Sequence, residues 1–259
     1  MKSKVEQQPC RYKVKVIINT TIDFFVNMKS ETISALLNEF PFPHAIFENF
    51  YNDEELKLIW EELNFYTKPG KLLNAEKYGG AVGYTNAKAL MLDSIYFDYT
   101  KSGGANYRTL SNILKVNRKV FDSSVTNSFA SIHDSCCLAT KSNRDTTKVR
   151  YYHDGEYYDP HTDKTMMFLA FSYFYKEPKK FSGGELYFPK YDYEISCENN
   201  SLIMFPGWVE HGVKKVSIED SDYFDGYGRY AITSFFGCKS TTDDIKTWQD
   251  SENPVDYLC

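Results

Sequence analysis

The chain has 259 residues, with 30 Lys and Arg against 35 Asp and Glu, a net charge of −5 and an aromatic fraction of 17%. That length can bury a sizeable core without disulfides or structural metals, and mild acidity without a basic, aromatic-interleaved cluster argues against nucleic acid as a partner. No apolar run approaches the roughly 20 residues that cross a bilayer and no charged-then-apolar leader opens the sequence. With Cys10, Cys136, Cys137, Cys197, Cys238 and Cys259 in no C-x-x-C pattern, a soluble, cytoplasmic protein with free thiols and no membrane partner is expected.

In chain order, residues 13–18 (KVKVII) read as an edge strand or loose arm. A helix follows residues 41–50: Asn52 is the cap, Glu55 stands three residues on, and Leu56, Ile59, Trp60 and Leu63 keep helical spacing. Residues 68–105 are rich in Gly, Tyr and Asn and longer than ordinary connections; they are expected to form a lid or a surface excursion with a short hairpin. A second helix is predicted over 106–127, with Leu110, Ile113, Leu114, Val120 and Phe121 as its apolar stripe.

The stretch YHDGEYYDPHTD, residues 152–163, carries the chemistry. In a strand ending at Asp163, positions i and i+2 point the same way, so His161 and Asp163 can grip one ion while Thr162 faces away. His211 follows about fifty residues later. Two imidazoles and one carboxylate suit iron(II) as a facial triad, which leaves coordination positions open for reactants. The pairs His133-Asp134 and His153-Asp154 invite a helical metal-phosphohydrolase reading, but His153 sits in a turn amid β-like sequence. By side alternation Tyr158 is expected to face away from His161 and to pack.

Residues 166–175 are a long apolar and aromatic run suited to a central strand. Gly183 and Gly184 permit a turn or bulge before a second short strand. Residues 201–213 repeat the pattern, with Pro206-Gly207 able to swing His211 back toward the first pair. Residues 229–237 alternate as a strand with Arg229, Ala231 and Thr233 on one face. An inward Arg needs an anion, and a guanidinium pairs bidentately with a carboxylate, so a dicarboxylic cosubstrate, 2-oxoglutarate, would give Arg229 its partner.

Taken together, residues 149–237 resemble the double-stranded β-helix (jelly-roll) core of the iron(II)- and 2-oxoglutarate-dependent dioxygenases, in the prolyl 4-hydroxylase-like branch. The resemblance is carried by Tyr152, Gly155, Tyr158 and Pro160 before His161-Thr162-Asp163, by Gly183-Gly184-Glu185 with Pro189, by Phe205-Pro206 before His211, and by residues 229–233. It implies that His161, Asp163 and His211 bind Fe(II), that Arg229 grips the far carboxylate of 2-oxoglutarate with help from Thr233, and that Tyr152 hydrogen-bonds the same carboxylate, with adjacent Tyr151 as the alternative. Tyr173 is a further candidate for that pocket, and Trp208 a candidate for substrate stacking. The family usually places its basic residue about ten positions after the second histidine, whereas Arg229 lies eighteen after His211. An insertion over the acidic, turn-rich residues 218–228 accounts for this, with Lys214 and Lys215 as fallback carboxylate partners.

The resemblance further implies O2 as cosubstrate, ascorbate as reductant, and hydroxylation of an unactivated C–H bond, since halogenating relatives lack the carboxylate that Asp163 provides. A prolyl residue in a peptide or protein is the expected substrate; a free amino acid, another small molecule, or a noncatalytic jelly roll binding a sugar or peptide are the alternatives. The fold expected is mainly β with flanking helices (α+β), in one domain. It divides into a helical and loop annex with the lid over 1–147, a catalytic core over 148–238 and a C-terminal tail over 239–259.

Overall fold

A computed structural model describes residues 11–21, 28–74, 83–100, 107–219 and 222–238 of the chain. The tail expected over 239–259, Cys10, Cys259 and the glycine pairs Gly79-Gly80 and Gly103-Gly104 lie outside the described residues. The N-terminal part contributes β1 (Arg11–Thr21), β2 (Met28–Asn38), β3 (His44–Glu48), α1 (Asp53–Tyr66), β4 (Lys88–Met91), α2 (Leu92–Thr100), α3 (Asn112–Val116) and α4 (Ser123–Ala130). Then follow β5 (Arg144–Tyr152), β6 (Tyr158–His161), β7 (Phe168–Phe174), β8 (Phe181–Gly183), β9 (Leu186–Phe188) and β10 (Tyr193–Ile195). β11 (Ser201–Pro206), β12 (His211–Val213), β13 (Val216–Ile218) and β14 (Arg229–Gly237) complete the order.

Two antiparallel sheets form the jelly roll: an eight-stranded sheet in the order β1-β2-β3-β11-β7-β14-β5-β4 and a four-stranded sheet in the order β10-β9-β12-β6. β7 is central, as residues 166–175 predict, and is buried along its length. Its side chains alternate between two cores. Phe168, Ala170 and Phe174 join the core beneath α1, α3 and α4, while Leu169, Phe171 and Tyr173 join Leu186, Phe188 and Val213 between the two sheets. Both faces of this sheet are covered, which is why its strands read as continuous apolar runs rather than polar–apolar alternation.

The residues 13–18 fall in β1, which pairs with β2 alone and forms the sheet's edge. α1 begins at the predicted box: the Asn52 side chain accepts from the Glu55 N–H and the Glu55 carboxylate accepts from the Asn52 N–H, each at 2.9 Å. The continuous helix expected over 106–127 is instead four short helical pieces. Ser111 is extended and its hydroxyl accepts from the Leu114 N–H, and Asp122 accepts from the Ser124 N–H. These short polar side chains cap new turns where a single helix would continue. Of the expected stripe, Leu110 is exposed while Ile113, Leu114 and Val120 are buried.

Residues 68–105 are not one loop, because β4 pairs with β5 and α2 follows directly. The boundary at 147/148 falls inside β5, and the annex supplies β1 to β4 to the same sheet as the core strands, so hydrogen bonding makes annex and core continuous.

Candidate active site

Hydrogen bonding between β6 and β12 sets His161 opposite His211. Asp163 lies just past β6, where its N–H donates to the Gly207 carbonyl at 2.9 Å and its own carbonyl accepts from the Met166 N–H at 2.9 Å. Gly207 is required there, since a Cβ would come within 2.4 Å of the Met166 oxygen and 2.6 Å of the Asp163 oxygen. The turn after β11 thus clamps the loop that carries the carboxylate.

The three candidate ligand atoms lie within 4.8 Å of one another. The Asp163 carboxylate is 3.6 Å from His211 Nε2 and 4.0 Å from His161 Nε2. Each imidazole is oriented by its own backbone: His161 Nδ1 bonds the Asp159 carbonyl and His211 Nδ1 the Val209 carbonyl, both at 2.9 Å. A carbonyl can only accept, so Nδ1 carries the proton and Nε2 presents a lone pair to the site, the tautomer a metal ligand needs. His211 Nε2 is buried without a hydrogen-bond partner. Burial pushes the His211 imidazole down to about 3, with His161 adding to the effect. It also lowers His161 and raises the Asp163 carboxyl, each partly offset by the other. Neutral imidazoles and an orphaned donor atom fit a divalent ion at this point.

Arg229 opens β14 opposite Tyr152 of β5. It is 0% exposed, and Nε, Nη1 and Nη2 all lack a hydrogen-bond partner. Its guanidinium carbon lies 4.4 Å from the Tyr173 ring centroid and 4.8 Å from that of Tyr152, and the Tyr173 hydroxyl is likewise buried and unpartnered. Gly184 makes room for this arrangement, because a Cβ there would come within 2.7 Å of Arg229 Cδ. A buried guanidinium beside two phenols and the Cys197 thiol, with no acid paired to it, has the donor set that suits a carboxylate. Tyr151 turns to the other face, where its hydroxyl accepts from the Gly228 N–H. Lys214 is exposed and paired with Glu194, and Lys215 is exposed.

A cavity of about 430 Å³ opens over the three ligands, and Tyr152 and Thr233 line it. Trp208 is 48% exposed in the turn after β11 and is not part of this lining. Tyr158, expected to face away, stacks on His161 with ring centroids 4.0 Å apart. The pairing of β12 with β6 shifts register between His211 and Val213, and this irregularity breaks the simple alternation. Sequence reasoning also missed Lys148 and Arg150, which line the cavity from β5. Their period-two spacing with Tyr152 was the available signal. Tyr84 reaches the cavity from the segment read as a lid.

Residues 147–237 match the 2OG-Fe(II) oxygenase superfamily. Among solved structures the chain is similar to a Pseudomonas putida prolyl-4-hydroxylase, at 15% identity and a TM-score of 0.49, covering 76% of this chain and 93% of that one. It is also similar to the viral collagen prolyl hydroxylase of Paramecium Bursaria Chlorella virus-1 in its 2OG complex, at 15% identity and a TM-score of 0.41, covering 74% and 94%. NgTET1 in complex with 5mC DNA is a third, at 13% identity and a TM-score of 0.40, covering 80% of each chain. No curated protein matches the chain in sequence. Among the described residues, no helix is long and apolar enough to cross a membrane.

Proposed function

We propose, from the premise that this chain belongs through residues 147–237 to the 2OG-Fe(II) oxygenase superfamily, that it hydroxylates an unactivated C–H bond of a prolyl residue in a peptide or protein. The observation that carries the oxygenase reading is the pairing of a metal-ligating cluster and an anion receptor on one inner surface. One is the His161, Asp163 and His211 cluster; the other is the fully buried, unpartnered Arg229. A noncatalytic jelly roll has no need to bury a guanidinium without an anion, which is unfavourable by several kcal/mol.

When bound, iron(II) with 2-oxoglutarate and O2 supplies the oxidising power for C–H hydroxylation, with succinate as coproduct. The chain's own residues do the rest. His161, His211 and Asp163 would hold the ion. Backbone carbonyls of Asp159 and Val209 keep both imidazoles in the coordinating tautomer before the ion arrives, so no reorientation accompanies binding. Arg229 takes the distal carboxylate of 2-oxoglutarate, flanked by the phenols of Tyr152 and Tyr173, with Thr233 on the same strand face. Phe205 and Phe171 pack edge-on against His211 at 5.0 and 5.6 Å and keep water from that side of the ion. Ascorbate belongs to this proposal as reductant.

The prolyl substrate rests on the motif resemblance of residues 152–163 and 229–233. The first test needs no substrate: anaerobic visible absorption of the metal-free protein, titrated with iron(II) and then 2-oxoglutarate. A charge-transfer band that needs both additions, is lost in His161→Ala and demands far more 2-oxoglutarate in Arg229→Ala is expected; no band in the wild-type protein overturns the oxygenase reading. Proline-containing peptides incubated with the loaded protein in air should then gain one oxygen atom on proline by mass spectrometry. Succinate release without any oxygen on proline would remove the prolyl assignment alone.

A further inference from the structure

The inner wall of the cavity carries two cations that neither the metal ligands nor Arg229 account for. Lys148 and Arg150 alternate with Tyr152 along β5, so all three face inward. They are 7% and 4% exposed, and both line the same cavity as the three ligands. The Arg150 guanidinium lies 4.4 Å over the Tyr158 ring, which in turn stacks on His161. Its Nη1 is buried without a hydrogen-bond partner. The Lys148 ammonium sits 5.2 Å from the Phe235 ring centroid.

The carboxylates that line this cavity are Asp163 and Glu210. Neither forms an ion pair with Lys148 or Arg150 among the described residues, and a bound metal would engage Asp163. Burial, then Arg150, pushes the Lys148 ammonium down to about 8, and Asp163 pulls it only partly back. Two largely buried cations on one strand face, with Asp163 nearby but forming no ion pair with either, leave room for a ligand that supplies a second anion.

These residues are separate from the cosubstrate grip. Arg229 pairs in register with Tyr152, whereas Ala231 pairs with Arg150 and Thr233 with Lys148. At the strand rise they stand roughly 7 and 13 Å further along β5 than Tyr152. The ladder partners Ala231 and Thr233 carry no charge to set against either head, and both heads border the cavity with Arg150 Nη1 unpartnered.

We propose that Lys148 and Arg150 form an oxyanion-binding subsite for the molecule to be hydroxylated, whose reacting C–H bond therefore lies beside a carboxylate or a phosphate. The proposal rests on the oxygenase reading of the same cavity. It selects, among prolyl and small-molecule substrates, those that bring an acid: a peptide with an acidic neighbour, a chain-terminal carboxylate or a free acid share this chemistry.

The test is calorimetric titration of the anaerobic, iron(II)- and 2-oxoglutarate-loaded protein with N-acetylproline, its neutral twin N-acetylprolinamide, and methyl phosphate. One of the two acids should saturate at one per chain, which also tells carboxylate from phosphate. The neutral amide should bind roughly tenfold or more weakly, the loss expected for a charge-assisted contact. Arg150→Met and Lys148→Met should each weaken the acid about tenfold, and Arg150→Lys should recover part of the loss, while the charge-transfer band keeps its 2-oxoglutarate dependence in all three. Equal binding of acid and amide, or no saturable binding of either acid to protein that shows the band, overturns the subsite. So does loss of 2-oxoglutarate binding in Arg150→Met, which would reassign that residue to the cosubstrate. A wild-type protein without the band fails the oxygenase reading itself, a distinct result.

Discussion

The two faces of the eight-stranded sheet bury charge in opposite ways. On the face beneath the helices, Lys119 reaches Glu31 and Glu55 at 2.7 Å each, and Glu62 takes the Ser111 hydroxyl at 2.8 Å and the Ile113 N–H at 2.7 Å. On the face toward the smaller sheet, Arg229 has no partner on any nitrogen, and Arg150 Nη1, the Tyr173 hydroxyl and His211 Nε2 are also left open. Helices supply most of the charges on the first face and strands those on the second. A satisfied buried group holds the fold, whereas an unsatisfied one is tolerated where a ligand completes it.

Replacing the central charge of each face should break the molecule in different places. Arg229→Met removes an uncompensated buried charge, so urea unfolding of the unloaded protein should show it as stable as the wild type or more so. Its affinity for 2-oxoglutarate, read from the charge-transfer titration, should fall by roughly 100-fold or more, the scale for truncating one partner of a buried charge pair. Lys119→Met should do the reverse. It strands two carboxylates whose side chains remain 17% and 15% exposed, so the loss should be about 2–3 kcal/mol of stability, somewhat under the usual figure for a fully buried pair, with 2-oxoglutarate affinity unchanged. If Arg229→Met instead unfolds the protein, the division between the faces is wrong.

Gly207→Ala sharpens the contrast from the backbone side. The added Cβ has no space against the Asp163 and Met166 carbonyl oxygens, so the Asp163 loop must move. A loss of about 1–2 kcal/mol is expected on overpacking grounds. Iron(II) affinity, followed by the same absorption titration, should drop together with stability, whereas Lys119→Met should lower stability alone. A Gly207→Ala protein with wild-type iron affinity would show that the turn after β11 does not set the position of Asp163.

How much of this was legible in the sequence follows from the same contrast. The candidate metal cluster could be read from the His161–Asp163 spacing, although β6 ends at His161 and it is the loop bonded to Gly207, not a continuing strand, that brings Asp163 to the two imidazoles, and Arg229 stood out because charge is rare in a strand as apolar as residues 229–237. Tyr158 was misplaced, since the extra residue within 158–161 shows only when β6 is paired with β12, where three steps of β6 oppose two of its partner. Lys148 and Arg150 were overlooked because an alternating Lys, Arg and Tyr series looks like the solvated side of a strand until the second sheet is known to cover it. The helix over 106–127 failed at Ser111 and Asp122, where periodicity continued but capping side chains restarted the backbone. Strands β2, β3 and β4 gave no signal strong enough to separate them from connecting segments, and their pairing depends on neighbours distant in sequence.

Glu156, in the turn between β5 and β6, ties stability to pH. Its carboxylate accepts from the His153 N–H at 2.7 Å, yet burial pushes it up to about 7, outweighing that bond and the nearby Lys88. Unfolded, the same group titrates near 4.3, so between about 4.5 and 7 the folded chain holds a proton that the unfolded chain has lost. The unfolded state then binds fewer protons, and the contribution of Glu156 to stability must fall as pH rises through that window. Glu156→Gln keeps an acceptor for the His153 N–H without the charge. Thermal unfolding of wild type and variant from pH 5 to pH 8 should therefore diverge, the variant gaining relative to wild type as the pH climbs and the gap levelling above about pH 7. Parallel profiles would mean that Glu156 reaches water freely, and that the turn belongs to neither buried face.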